Sequence, residues 1–393
     1  VIARHLRTLV LALAALFTAA PSWAAAPDCL SYHQPGDTSD AEAVNRCIAA
    51  NAGTPITLPA ITIDKPIAIV SNTDLHITGD IKVTNSRWPA AIASAPWVQR
   101  DDRTTWTDNV RIEFVGRATL RYMGTSTYPT KGIGIATMRH VLVVNPRVIG
   151  GRTAKPETSL FAMFIVKSQD VEVTGGYLSV LSGWVGSDGI KIQNSFDVKV
   201  HGVEINSGDD CISVTDEAGS GDSARIAIYD NSLTTTGFSV FKMLGGTTGH
   251  RLSEITFRNN NSKPGLTQPG AGAPFILDAQ GGVIDHVSIT KGRVLTLVPP
   301  GGLMGNPTFQ IRGATNVTID QLPVTYYARS VLVGTDCTGL VFRPTAVTVT
   351  PNTGPLPKNA QPLVSSTRCP RAVVTLPDLA QPAWKGQALV AAQ

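Results

Sequence analysis

Asp188 is followed after twenty-one residues by Asp209 and Asp210, the doublet in Gly208-Asp209-Asp210-Cys211. Acids so spaced can do chemistry together only if a repeat stacks them; three stacked acids suggest carbohydrate chemistry. Asp188-Gly189-Ile190-Lys191-Ile192 and Asp210-Cys211-Ile212-Ser213-Val214 share one pattern, an acid followed by alternating apolar residues. Aligned, they put Asp188 and Asp210 in register on neighbouring strands, about 4.8 Å apart. Asp209, one residue earlier, projects elsewhere. Unpaired carboxylates this close repel and raise at least one pKa, a cost to stability unless used. A purely architectural alternative has the acids capping turns.

The elements that must position them repeat. Segments such as Asn109-Val110-Arg111-Ile112, Asp170-Val171-Glu172-Val173 and Asn316-Val317-Thr318-Ile319 alternate apolar and polar residues behind a polar opener. Their first apolar positions fall at 110, 141, 171, 198, 226, 255, 287 and 317, a near-fixed period. Period-two alternation marks short strands with one buried face. The intervening residues hold further short apolar runs and Gly or Asn turns, so each repeat reads as one coil of several strands. A β-propeller blade would be longer, about 40 residues. The expected fold is therefore all-β, a single-stranded right-handed parallel β-helix whose coils bury their inward residues against one another.

Residues 40–50 carry helical periodicity at Val44, Cys47 and Ile48 with Asp40 as the expected N-cap, and a solenoid needs such a cover at its open end. Residues 1–26 read as a secretory signal peptide: Arg4, His5 and Arg7, an apolar run, then Ala24-Ala25-Ala26. The run is shorter than the roughly 20 residues of a membrane span. The β-helix is expected over 27–350, and a Pro-rich tail over 351–393 that lies along the solenoid or lacks order. The 33 basic and 29 acidic side chains leave +4, or +2 without Arg4 and Arg7, which argues against a nucleic-acid partner. A secreted or periplasmic monomer without membrane attachment follows as the expectation.

Export permits disulfides, with Cys29–Cys47 and Cys337–Cys369 as the favoured local pairs. Cys211 is then a small buried hydrophobe beside the acids. No cysteine pair has the close spacing of a zinc site, and neither metal nor organic cofactor is implied.

Through Ser187-Asp188-Gly189-Ile190 and Gly208-Asp209-Asp210-Cys211-Ile212, together with the N-terminal helix and the coils, the chain resembles the polygalacturonase family and the wider three-aspartate β-helical glycoside hydrolases. The resemblance implies Asp209 as general acid, with Asp188 and Asp210 holding the attacking water, and inversion at the anomeric carbon. Inversion needs acid and base about 6.5–9.5 Å apart to admit that water.

Three positions depart from the family. Its Gly-His-Gly is absent from Thr236-Gly237-Phe238-Ser239-Val240-Phe241-Lys242-Met243-Leu244. The expected register buries Phe241 and Met243, turns Lys242 outward instead of into the core, and gives Ser239 the histidine position; burying Val240 instead would give it to Phe238. His250 falls in a loop and is a poor substitute. The family's Arg-x-Lys, which binds a uronate carboxylate, is missing from Pro274-Phe275-Ile276-Leu277-Asp278-Ala279. The pattern is closer to that of dextranase-like and isopullulanase-like hydrolases of neutral glucans.

Lys242, Ser239, Lys191 and Trp184 are the candidate substrate-binding residues. Lys242 is otherwise a solvated sheet lysine, and Trp184 a packing tryptophan. The expected function is inverting hydrolysis of a polysaccharide. One rival is a uronate lyase or epimerase using Lys242 as base, with the acids holding calcium; another is a non-catalytic carbohydrate-binding β-helix.

Overall fold

In a computed structural model of the chain, the described residues are 27–84, 90–123, 130–150, 160–181, 186–246, 249–264, 272–295, 307–326, 330–349, 364–377 and 390–392. The expected signal peptide and Trp184 lie outside them. Among the described residues, three parallel sheets of 12, 11 and 12 strands take every third strand of the chain in order, except at the last step of the third sheet, where Val390–Ala392 joins Val364–Thr367. That is a right-handed parallel β-helix, each coil giving one short strand to each sheet.

The alternating segments form the first sheet and stack with no slip from Val110 onward. Val141 pairs with Val110 and with Val171, Val171 with Val198, Val198 with Ile226, and so on to Val287 with Val317. Slipping one strand by one residue would turn its apolar set outward, so each buried valine or isoleucine holds the register of its neighbours. The polar opener of each segment has a second purpose. Asn109, His140, Asp170, Asp197, Arg225, Glu254, His286 and Asn316 all adopt φ between 50° and 57°. This left-handed residue bends the chain just before the inward apolar position. Asn and Asp enter that region readily, and the larger openers do so at a cost of about 1–2 kcal/mol each, which the stacked coils must offset.

Polar ladders satisfy buried backbone at the turns. Ser168, Ser195 and Ser223 accept from Met138, Ser168 and Ser195 N–H groups respectively, each at 3.2 Å. Asn231 accepts from Val203 N–H at 2.9 Å and donates to Asn260 at 2.9 Å. Inside the third sheet, Phe241, Phe275 and Phe309 occupy one inward column, the last two with ring centroids 4.8 Å apart. Each such phenylalanine contributes about 1.5–3 kcal/mol by burial.

Helix Asp40–Ala50 covers the N-terminal end and is joined to Cys29 through Cys47. Its N-cap is Ser39, not Asp40. Ser39 is extended, its hydroxyl accepts from Ala41 N–H, and Glu42 returns to the Ser39 N–H, completing a capping box that leaves Asp40 in the first turn. A second short helix, Ala95–Arg100, was not evident from periodicity; Pro96 starts it and Trp97 buries against Phe164. Stacking also continues past 350. Val364–Thr367 extends the third sheet beyond Leu332–Thr335, Val373–Val374 extends the first, and Val390–Ala392 pairs with Val364–Ser366. The boundary expected at 350 thus falls inside the solenoid, the short apolar pairs there being too brief to show a period. Cys337–Cys369 ties this last part to the preceding coil.

Candidate active site

Three consecutive strands of the third sheet, Ile190–Gln193, Ile212–Thr215 and Phe241–Leu244, carry the acids and their neighbours. Ile190 pairs with Ile212 and Ile212 with Phe241, so Asp188, Asp210 and Ser239 form one column just before the strands. Gly189 N–H donates to Asp210 O at 2.8 Å and Cys211 N–H to Ser239 O at 2.8 Å, which carries the stacking through the site. Glycine is required between Asp188 and Ile190: a Cβ at Gly189 would lie 2.4 Å from the Cys211 carbonyl oxygen and 2.3 Å from Ile205. Gly237 is tighter still, its Cβ falling 1.8 Å from Gly208 O. These close approaches bring the turn of the doublet down onto its neighbours.

All three acids are buried, with Asp188 3%, Asp209 6% and Asp210 2% exposed. Their surroundings differ. Asp210 Oδ1 accepts from the Ser239 N–H at 3.2 Å and from the Ser239 hydroxyl, while Oδ2 lies 3.0 Å from Lys242 Nζ. Among the described residues, Asp188 Oδ2 has one long contact, 3.5 Å from Ser213 Oγ, and Oδ1 has no hydrogen-bond partner. Asp209 Oδ2 accepts from Gly186 N–H, and its backbone carbonyl accepts from Ser207 Oγ at 3.1 Å and from Thr235 Oγ1. Burial first, then the charges of Asp210 and Asp209, push the Asp188 carboxyl well above the usual carboxylate range. Burial, then Asp210, raises Asp209 to about 6, with Gly186 N–H pulling the other way.

One oxygen from each acid comes within 4.8 Å of the other two, close enough for the three to converge on one small group. The oxygens of Asp209 thus come nearer the stacked pair than the roughly 6.5–9.5 Å expected between the carboxyl groups of an inverting acid and base. Taken alone, this distance is nearer the roughly 5–5.5 Å of retaining pairs.

Phe241 and Met243 are inward, so the register expected for this strand is the one observed. Ser239 takes the histidine position, and Lys242 stands beside Ser213 on the outer face. Burial opposes its charge, but Asp210, Asp209 and Asp188 hold the Lys242 ammonium above its ordinary pKa. Its Nζ also lies 5.2 Å from the Phe238 ring centroid. Lys191 is nearly buried, paired with Glu217 and 5.3 Å from the Phe161 ring. His250 Nδ1 donates to Asp216 Oδ2 at 2.9 Å, past the far end of the strand. Where the family keeps its basic pair, Ile276 follows Lys242 in register and Asp278 contacts Arg312 at 3.2 Å. Cys211 is fully buried, and burial raises its thiol far above the usual range, so it offers no thiolate.

Carrying the register back, Phe161 precedes Asp188 in the same column and Lys131 precedes Phe161. Lys131 Nζ lies 5.7 Å from the Phe161 ring and 5.5 Å from that of Phe164. Burial, then Arg103 and Lys191, lowers its pKa. Neither Phe161 nor Lys131 is among the candidate residues read from the sequence. Extending the acid alignment one and two coils earlier, onto Phe161-x-Met163-x-Ile165 and Lys131-x-Ile133-x-Ile135, would have found both.

Residues 152–262, which contain all three acids, match the family model described as glycosyl hydrolases family 28. No curated protein matches the chain. Among solved structures it is similar to an exopolygalacturonase of Thermotoga maritima at 12% identity, covering 88% of this chain and 89% of that one with a TM-score of 0.53. It is also similar to the DFA-IIIase of Arthrobacter chlorophenolicus at 10% identity, with 92% and 98% coverage and a TM-score of 0.58. The Streptococcus pneumoniae surface adhesin PfbA matches at 9% identity, with 88% and 91% coverage and a TM-score of 0.54. At these identities the structures speak to the fold, and the family model speaks to the segment bearing the acids. The resemblance to the polygalacturonase-like family read from the two aspartate motifs holds, and the chain is a glycoside hydrolase.

Proposed function

We propose that the protein is an exported hydrolase that cleaves glycosidic bonds of a polysaccharide, with Asp209 as general acid and the Asp188–Asp210 pair holding the attacking water. The observation that carries this reading is the convergence of three buried carboxyls within 4.8 Å, in which burial and Asp210 raise Asp209 to about 6. Such an acid still holds its proton in mildly acidic to near-neutral solution and can deliver it to a leaving oxygen.

Single displacement with inversion is the stereochemical part of the proposal, and the close approach of the acids does not by itself favour it. What supports it is the state of the two remaining carboxyls. Both oxygens of Asp210 are engaged by Lys242 and Ser239, and Asp188 is recessed, so neither is poised to bond to an anomeric carbon. A water seated against the pair is the better nucleophile.

Lyase or epimerase chemistry is less well supported, because a lysine base must be neutral and the acids hold Lys242 charged. The absent Arg-x-Lys weakens a requirement for uronate, so neutral glucans belong beside pectic substrates. Export is supported by two disulfides, which persist in oxidising compartments. All three acids come from one chain, so a monomer suffices for the reaction.

A panel of neutral and uronate polysaccharides, read for reducing ends and for ultraviolet absorbance, tests the reading. Reducing ends without absorbance are expected. Unsaturated, absorbing products would replace hydrolysis with elimination, and binding without any release would leave a carbohydrate-binding protein.

A further inference from the structure

Asp188 and Asp210 stand in equivalent positions on adjacent coils, yet the protein treats them differently. Asp210 meets three donors, namely the Ser239 N–H, the Ser239 hydroxyl and the Lys242 ammonium. Among the described residues Asp188 meets only the Ser213 hydroxyl, at the 3.5 Å limit, and its Oδ1 is buried with no partner. A buried carboxylate supplied with donors and a cation keeps its charge, whereas one with neither sheds it by taking a proton.

We propose that the pair is asymmetric: Asp210 alone removes the proton from the attacking water, Asp188 serves as a neutral carboxyl that orients that water, and Lys242 with Ser239 enforces the difference. This rests on the hydrolytic reading given above. One water O–H bond breaks toward Asp210, and the water oxygen bonds to the anomeric carbon. The second O–H is accepted by the carbonyl oxygen of the Asp188 carboxyl. The glycosidic C–O bond breaks, and its oxygen takes the proton of Asp209. Each carboxyl thus has a separate duty, and Lys242 is a positioning residue that acts through Asp210.

The groups bearing on this balance are few. Asp210, Asp209, Lys191 and Lys242 act on Asp188 through their charges, and Ser213 is its contact on the next strand. Asp210 faces Ser239 and Lys242 from the following coil and Asp188 from the preceding one. The direction agrees with the raised pKa of Asp188, for which burial is the largest cause. The equal-partner arrangement, in which both acids take the proton, needs both to be ionised side by side. Only one of them has the surroundings for that.

The test compares Asp188→Asn, Asp210→Asn and Asp209→Asn on whichever polysaccharide the wild-type enzyme hydrolyses. Asparagine keeps a carbonyl oxygen for the water but cannot accept its proton. Asp210→Asn should lose about 100-fold to 10,000-fold in kcat, the usual worth of a general base. Asp188→Asn should lose roughly tenfold, the worth of one altered hydrogen bond. Lys242→Met should move the acid limb of kcat/KM to higher pH, and Lys242→Arg should restore it toward wild type. A protonated-carboxyl stretch in the infrared spectrum near neutral pH should vanish in Asp188→Asn and persist in Asp210→Asn; this reads the asymmetry even if a variant is inactive.

Equal losses in Asp188→Asn and Asp210→Asn, or an acid limb unmoved by Lys242→Met, would overturn the asymmetry while an inactive Asp209→Asn left hydrolysis standing. A fully active Asp209→Asn would instead remove the hydrolytic reading, and the asymmetry with it.

Discussion

The Lys242 ammonium lies 3.0 Å from Asp210 Oδ2, one coil beyond it, on a strand whose inward residues are Phe241 and Met243. An ion pair this enclosed is costly to break from one side, because the abandoned charge stays buried. Removing Lys242 should therefore destabilise the protein, by about 3–5 kcal/mol if Asp210 remains charged. Urea denaturation of Lys242→Met and Lys242→Arg beside wild type at pH 7 would check this, with most of the loss expected in the methionine variant and little in the arginine one.

The raised pKa values of Asp188 and Asp209 have a stability consequence of definite sign. Both groups bind protons more tightly folded than unfolded, where a carboxyl titrates near pH 4. Between that value and their folded pKa values the native state holds more protons, so stability on their account is greatest below about pH 4 and falls as pH rises. For Asp209 the fall is complete just above pH 6. Melting temperatures of the wild type should therefore decline across this window, and those of Asp209→Asn should decline less. An equal slope in the two proteins would contradict the assigned shift.

Gly189→Ala should damage structure and site together. Its Cβ would meet the Cys211 carbonyl, backbone that cannot swing aside, so Asp188 and Asp210 must separate. We expect a loss of about 1–3 kcal/mol, as in other overpacked cores. Activity should fall further than that stability loss explains, since both acids move. Chemical denaturation and reducing-end assays on one preparation would separate the two effects.

Opening Cys337–Cys369 removes a link across 32 residues of chain at the C-terminal end. The double serine variant should be about 2–4 kcal/mol less stable. Because the bond lies well beyond the acids in sequence, kcat on the preferred substrate should stay within twofold of wild type, roughly the scatter of such assays.

Much of this architecture was legible in the sequence. The recurrence from Val110 to Val317 gave strands, period and register at once, because an inward valine cannot change sides without moving its whole strand. The same logic placed Asp210 beside Asp188 and turned Lys242 outward. What escaped had weaker periodic signals. Ser39 was hidden by the more obvious acid after it, and the strands past 350 are too short to alternate visibly. Phe161 and Lys131 share the column of the acids but not their residue type, so the acid pattern alone does not mark them. The close approach of Asp209 to the pair depends on how the doublet's turn folds, which spacing along a chain does not encode.

The stereochemical claim is the one on which distance and environment pull apart. Proton NMR of the first product formed would decide it. Inversion predicts that the newly freed anomer opposes the configuration of the bond cleaved; retention would mean that one of the buried carboxyls bonds to the sugar after all.

The central claim is that Asp209 delivers the proton that lets the glycosidic bond break. Its most direct test is reducing-end release by wild type and Asp209→Asn on the same polysaccharide, followed against pH. The account predicts a basic limb in wild-type kcat/KM near pH 6, where Asp209 loses its proton, and a variant slower by about 100-fold to 10,000-fold with that limb gone. Undiminished release by Asp209→Asn, or the same limb in both proteins, would contradict it.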